Sequence, residues 1–136
     1  MGTAYIVDAV RTATGRRNGA LASVHPVELG ATPLKALVER TGIPTEAIED
    51  IVYGCVTPVG DQGCNIGRLA ALEAGFPISV TGVQINRMCG SSQQAIHFAA
   101  MGVASGFQDV VVAGGIESMS RIPMGSDMFL NGEPAT

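Results

Sequence analysis

Val80-Thr81-Gly82-Val83-Gln84-Ile85-Asn86-Arg87-Met88-Cys89-Gly90-Ser91-Ser92-Gln93-Gln94-Ala95-Ile96 opens the part of the chain that decides its fold. Residues 80–85 are rich in β-branched side chains and read as a strand. Asn86 to Gly90 form a tight turn, and small residues then open a helix predicted over 91–105. Residues 109–113 (DVVVA) supply the next strand. A strand, a turn, a helix and a strand in direct succession specify a crossover between parallel strands.

The same alternation extends upstream. Residues 4–10 (AYIVDAV) carry a strand pattern, and the polar, Gly-containing stretch 11–23 reads as a loop. Pro26 suits a helix start, with Glu28 in the first turn. Val27, Ala31, Leu34 and Val38 follow helical spacing, while Pro33 predicts a kink or two short helices. Gly42 ends that run. Residues 51–56 (IVYGCV) are the second strand, and a Gly-rich loop runs to Gly63. Residues 66–74 form a short helix closed by Gly75 and Pro77. The order strand, helix, strand, helix, strand, helix, strand predicts an α/β fold with a mostly parallel sheet. Beyond Gly114 the chain is polar and without periodicity, and there is no internal repeat.

The 136 residues fit one domain. Hydrophobic residues make up 46% and charged residues 15%, the balance of a folded core rather than a disordered chain. A net charge of -4, with no basic run and no Trp, argues against nucleic acid as a partner. The three cysteines, Cys55, Cys64 and Cys89, read as reduced thiols. Cys55 and Cys64 lack metal-ligand spacing and neither His25 nor His97 completes a set, so no metal site is expected. No secretory leader or membrane-length apolar run is visible, and Ile6 stands where a myristoylation motif needs Ser or Thr. The expected compartment is the cytoplasm, with no membrane partner. Gly114-Gly115 follow a strand, but the G-x-G-x-x-G fingerprint of a dinucleotide site is absent.

The predicted third helix has an unusual surface. From Met88 to Gln108 no residue is charged at neutral pH. Ala95, Ile96, Phe98, Ala99, Ala100, Met101 and Val103 cover most of its circumference, so it is expected to be buried on all sides beneath a further layer of protein, from a longer parent chain or a partner subunit.

Cys89 is the candidate catalytic residue. A cysteine between a strand end and a helix start lies beside amides that have no internal partners and beside the positive end of the helix dipole. That environment stabilises a thiolate and makes a nucleophile. The competing reading is a small apolar core residue. Turn context alone leaves the two about even.

The stretch Ile85-Asn86-Arg87-Met88-Cys89-Gly90-Ser91-Ser92, followed by Ala95-Ile96, resembles the acyl-enzyme signature of the thiolase family. Val7-Asp8-Ala9-Val10-Arg11-Thr12 is similar to the family's opening strand. Asn65-Ile66-Gly67-Arg68 with Ala74-Gly75-Phe76-Pro77 is similar to its second helix. Ala113-Gly114-Gly115-Ile116-Glu117-Ser118-Met119-Ser120 resembles its AGG-x-ESMS stretch. These matches run in family order from residue 4 to residue 125. Gln93 departs from the apolar residue more common at its position.

The resemblance implies the N-terminal half of a five-layer αβαβα fold, with a buried central helix that corresponds to the predicted third helix. It divides the chain into residues 1–115, an N-terminal α/β half lacking its last strand, and residues 116–136, the cut-short opening of a loop domain. It implies an acyltransferase in which Cys89 forms an acyl-thioester from acyl-CoA, either to cleave 3-ketoacyl-CoA with coenzyme A or to condense acetyl-CoA. The substrates are then acyl-CoA and coenzyme A, with no metal or redox cofactor, and the full-length enzyme is a homo-oligomer, a dimer or tetramer. Alternatives are a decarboxylating ketoacyl synthase of the same superfamily and a non-catalytic truncated chain. The family's Gly-His-Pro histidine, Cys-x-Gly cysteine and Asn-Glu-Ala segment do not occur in residues 1–136, so this length alone is expected to be inactive. His25-Pro26 reads as a helix start and His97 lies more than two turns from Cys89 along the helix, both structural. Cys55 is assigned to strand core, Cys64 to a loop, Arg68 to a salt bridge holding a loop, and Glu117 and Ser118 to structural roles.

Overall fold

The structure is a computed structural model that describes residues 2–130 and 132–134. Its centre is a parallel sheet of three strands: β1 (Asp50–Gly54), β2 (Thr81–Ile85) and β3 (Val111–Gly115). Their order is β2-β1-β3, so β1 is flanked on both sides. Ile51 lies opposite Gly82 and Val112, and Gly54 opposite Ile85 and Gly115. The three strands therefore end level at their carboxyl edges.

Three helices complete the unit: α1 (Pro26–Thr41), α2 (Ile66–Glu73) and α3 (Ser91–Ser105). The side chains of β1 alternate between two faces. Ile51 and Tyr53 join Leu34 of α1 and Ala70 and Ala71 of α2 in the main core. The Tyr53 hydroxyl donates to the Gly30 carbonyl of α1 at 3.0 Å, and burial pushes this hydroxyl above the ordinary phenol range. Gly54 faces the other way, against the first residues of α3. The connection after β1 thus leaves toward one face of the sheet and the connection after β2 toward the other.

Several expectations need correction. Residues 4–10 form no strand: Tyr5, Ile6 and Val7 are each more than four-fifths exposed. A strand pattern without a neighbouring strand leaves its backbone groups to solvent, and this segment is held instead by an ion pair. The Asp8 carboxylate accepts from Arg40 at 2.7 and 3.0 Å, and that guanidinium holds the Asp8 carboxyl below the usual carboxylate range. Pro33 does not divide α1, which is one helix of 16 residues. An interior proline costs ~3 kcal/mol, and the burial of Pro26, Gly30, Ala31 and Leu34 offsets it. The His25 ring caps the helix, with Nδ1 accepting from the Val27 amide at 3.2 Å. Gly42 closes it at φ 68°.

The further layer expected over the third helix, from a longer chain or a partner subunit, is not among the described residues, so the expectation is not tested by them. Only Ser91, Gln94 and Ala95 are buried, whereas Ile96, Phe98 and Met101 are exposed. Three strands cover one side of it and nothing among the described residues covers the other. The strand expected over 109–113 begins two residues later because the Glu49 carboxylate takes the amides of Asp109 and Val110. Among the described residues Arg68 has no salt-bridge partner; its guanidinium donates to the carbonyls of Val80 (a very short contact) and Ile78, pinning the loop before β2. After β3 the chain runs through turns to the two-residue strands β4 (Phe129–Leu130) and β5 (Glu133–Pro134), which pair antiparallel.

Candidate active site

The carboxyl ends of the three strands bring together the loops that follow them. In an open α/β sheet, ligands bind at such an edge, where successive connections leave in opposite directions. A cavity of about 240 Å³ lies there. Gly54 at the end of β1 lines it with Cys55 and Val56 just beyond, Met88 and Cys89 line it from the turn after β2, and Gly115 at the end of β3 lines it with Ile116 and Glu117 just beyond. Ser91 and Ser92 at the start of α3 close the remaining side.

The Cys89 turn is built by its neighbours. Met88 has φ 49°, a left-handed backbone that a non-glycine residue adopts at a cost. Four hydrogen bonds hold it. The Asn86 Oδ1 accepts from the Met88 amide at 2.9 Å. The Ser91 hydroxyl donates to the Met88 carbonyl at 2.6 Å and accepts from the Arg87 amide at 2.8 Å. The Ser91 amide also donates to the Met88 carbonyl, at 3.0 Å. The turn therefore presents Cys89 to solvent while its supporting serine is buried.

Two glycines let α3 reach the sheet. A Cβ on Gly54 would lie 2.4 Å from the Ser91 carbonyl carbon and the Ser92 nitrogen. A Cβ on Gly115 would lie 2.2 Å from the Ser92 hydroxyl. No side chain caps the first turn of α3, so its partial positive charge stays available beside Cys89.

The other cysteines are different in kind. Cys55 is buried in the cavity wall, where desolvation and then the neighbouring Glu117 charge push its thiol up to about 12. It is a protonated thiol at neutral pH. Cys64 is exposed in the loop before α2 at φ 53°. Neither histidine is brought to Cys89 as a partner. His25 is engaged as a helix cap with Nε2 3.7 Å from Asp61, and His97 sits on the exposed side of α3.

The sequence did not show what Glu117 does. Its carboxylate accepts from the amides of Val56 at 2.7 Å and Thr57 at 3.3 Å and from the buried Gln62 side chain at 2.9 Å. Gln62 Oε1 in turn accepts from the Ser118 amide at 2.5 Å. This network ties the loop after β1 to the segment after β3. Among the described residues no group of acidic, Cys and His side chains could hold a metal ion, and no helix is long and apolar enough to cross a membrane.

Comparison with known proteins decides the lineage. A family model described as the thiolase N-terminal domain matches residues 4–133. The chain belongs to the thiolase family. It is 53% identical over 128 residues to a steroid 3-ketoacyl-CoA thiolase of Mycobacterium tuberculosis, covering 94% of this chain and 31% of the relative. It is 46% identical over 121 residues to a beta-ketoadipyl-CoA thiolase of Acinetobacter baylyi, covering 88% of this chain and 30% of the relative. The crystal structure of the Bacillus anthracis acetyl-CoA acetyltransferase superposes with a TM-score of 0.75 at 44% identity, covering 80% of this chain and 27% of that one. This thiolase chain thus spans about a third of the length of the curated relatives it matches.

Proposed function

We propose that this thiolase chain carries the acyl-accepting nucleophile of a thiolase-type acyltransferase, and that Cys89 is that nucleophile. The observation that carries the reading is the position of Cys89: exposed, on a constrained turn, at the uncapped start of α3, in a cavity at the carboxyl ends of three parallel strands. In the condensing direction the Cys89 sulfur attacks the thioester carbonyl of acetyl-CoA, a C–S bond forms and coenzyme A leaves as its thiol. In the cleaving direction it attacks the 3-keto carbon of a 3-ketoacyl-CoA, the C2–C3 bond breaks and acetyl-CoA leaves as its enolate, which takes up a proton. The acyl-cysteine then gives its acyl group to a second molecule. That acceptor is coenzyme A when a 3-ketoacyl-CoA is cleaved, or the enolate of acetyl-CoA when a carbon–carbon bond is made. Both directions move an acyl group between sulfur and carbon with no change of overall oxidation state, so the transfer calls for no redox group.

Proton transfer to and from the thiol and the departing group requires a base, and no described histidine is placed to serve Cys89. Residues 1–136 therefore supply the nucleophile and leave the base to be supplied from elsewhere. Incubation with acetyl-CoA followed by peptide mass mapping tests the assignment. An acetyl adduct on the Cys89 peptide, lost in Cys89→Ser, is expected. Acetylation confined to Cys64 would remove Cys89 from the role.

A further inference from the structure

A chain of hydrogen bonds leads from Glu117 to the Cys89 turn. The Glu117 carboxylate accepts from the Val56 amide at 2.7 Å. The carbonyl of the same residue, Val56, accepts from Asn86 Nδ2 at 2.8 Å. The other end of that side-chain amide, Oδ1, accepts from the Met88 amide at 2.9 Å. Val56 is thus held from both sides, and Asn86 is oriented by it: with Nδ2 fixed on Val56, Oδ1 is turned onto Met88. Met88 is the left-handed residue that precedes Cys89, and the strain of that backbone persists only where its surroundings over-determine it.

We infer that Glu117 is a positioning residue for Cys89, acting through Val56 and Asn86 to hold the left-handed Met88 turn that presents the thiol to the cavity. The inference rests on the reading of Cys89 as nucleophile. The Glu117 oxygens accept from the amides of Val56 and Thr57 and from the Nε2 of Gln62, with the Cys55 thiol also beside them. Replacing one oxygen by an amino group puts a donor against a donor, and the Val56 peptide must shift. Asp61 provides the contrast. It bonds Arg121 at 2.6 and 2.8 Å and also ties the loop after β1 to the segment after β3, yet it has no link to Asn86.

The test measures iodoacetamide alkylation of the full chain by peptide mapping, as the ratio of the Cys89 rate to the Cys64 rate, with thermal unfolding followed in parallel. If Cys89 reacts no faster than Cys64 in the unaltered chain, the nucleophile reading itself fails. Given a reactive Cys89, Glu117→Gln is expected to lower the ratio about tenfold, in keeping with the cost of misplacing a reacting group. Asp61→Asn should leave it within about twofold. Asn86→Ala should lower the ratio as Glu117→Gln does, and the double variant should be no worse than either, because both cut one series of contacts. An unchanged ratio in Glu117→Gln, additive losses in the double variant, or an equal loss in Asp61→Asn would each overturn the inference. Should Glu117→Gln fail to fold, Asn86→Asp decides. It keeps the acceptor for Met88 and removes the donor to Val56, so a lowered ratio sustains the link and an unchanged one breaks it.

Discussion

At Gly54 the sheet comes up against the backbone of α3 itself, and the consequences can be measured. Adding a Cβ there creates contacts of 2.4 Å with the backbone of Ser91 and Ser92. Backbone cannot rotate aside as a side chain can, so α3 must lift from the sheet. Overpacking of this kind costs roughly 1–3 kcal/mol and here more than local repacking can absorb. Gly54→Ala is expected to lower stability by about 3 kcal/mol in chemical denaturation and to slow Cys89 alkylation as the turn moves with the helix. Gly106 is the contrasting case: it has φ 76° but nothing within 4 Å of a built Cβ. Gly106→Ala should cost about 1–2 kcal/mol from the backbone alone and leave Cys89 alkylation unchanged. Equal effects of the two substitutions would contradict the packing account. At this scale the sequence was partly legible. Cys89 could be found from its own neighbours, because a strand end, a turn and a helix start are local signals. Glu117 could not, because its acceptor role depends on Val56, Thr57 and Gln62, which lie 55 to 61 residues away.

Elements show the same division between local and distant causes. Helix α3 was legible to the residue, since Ser91 opens it with small residues and Gly106 stops it at a left-handed turn. Residues 4–10 carry a strand pattern yet form no strand, because apolar alternation specifies one only when another strand is there to receive its backbone groups. The segment after β3 is held by a tie that no periodicity encodes. Arg121 donates to Asp61 and to the Ser23 carbonyl, joining three loops. The Arg121 hydrogen bonds hold the Asp61 carboxyl below the usual carboxylate range, with the nearby His25 lowering it further. A carboxyl whose folded-state pKa is depressed stabilises the fold above its unfolded pKa and loses that contribution as pH falls through the folded value. Acid should therefore weaken this tie only below the ordinary carboxylate range, and Asp61→Asn should flatten the acid limb of stability against pH. A limb of unchanged slope in Asp61→Asn, measured by thermal unfolding across that range, would show that the tie adds nothing.

At the scale of the whole molecule, the described residues build one sheet face fully and the other only in part. Leu34, Ile51, Tyr53, Ala70, Ala71, Phe76 and Val80 make a closed core between β1 and the α1–α2 layer. On the opposite face α3 covers the strands, but Ile96, Phe98 and Met101 point away from them and remain exposed. Tyr5, Ile6 and Val7 add a second apolar stretch. Burying one large apolar side chain contributes roughly 1.5–3 kcal/mol, so these side chains together withhold a sum comparable to a whole domain's stability of about 5–15 kcal/mol. Water is a poor partner for such a surface, and a 136-residue polypeptide can relieve it by associating with itself. Produced at this length, the chain is expected to elute above its 13.9 kDa mass in size-exclusion chromatography with light scattering, or to bind a hydrophobic dye strongly. Ile96→Lys together with Met101→Lys should reduce both signals while leaving the α1–α2 core intact, because neither residue touches it. The same 136 residues should show no thiolysis of acetoacetyl-CoA above a Cys89→Ser control, since the cavity presents a thiol and no histidine base. A cooperative, dye-silent monomer would show that three strands and three helices close the fold without help, and turnover above the control would show that His25 or His97 reaches Cys89 after all.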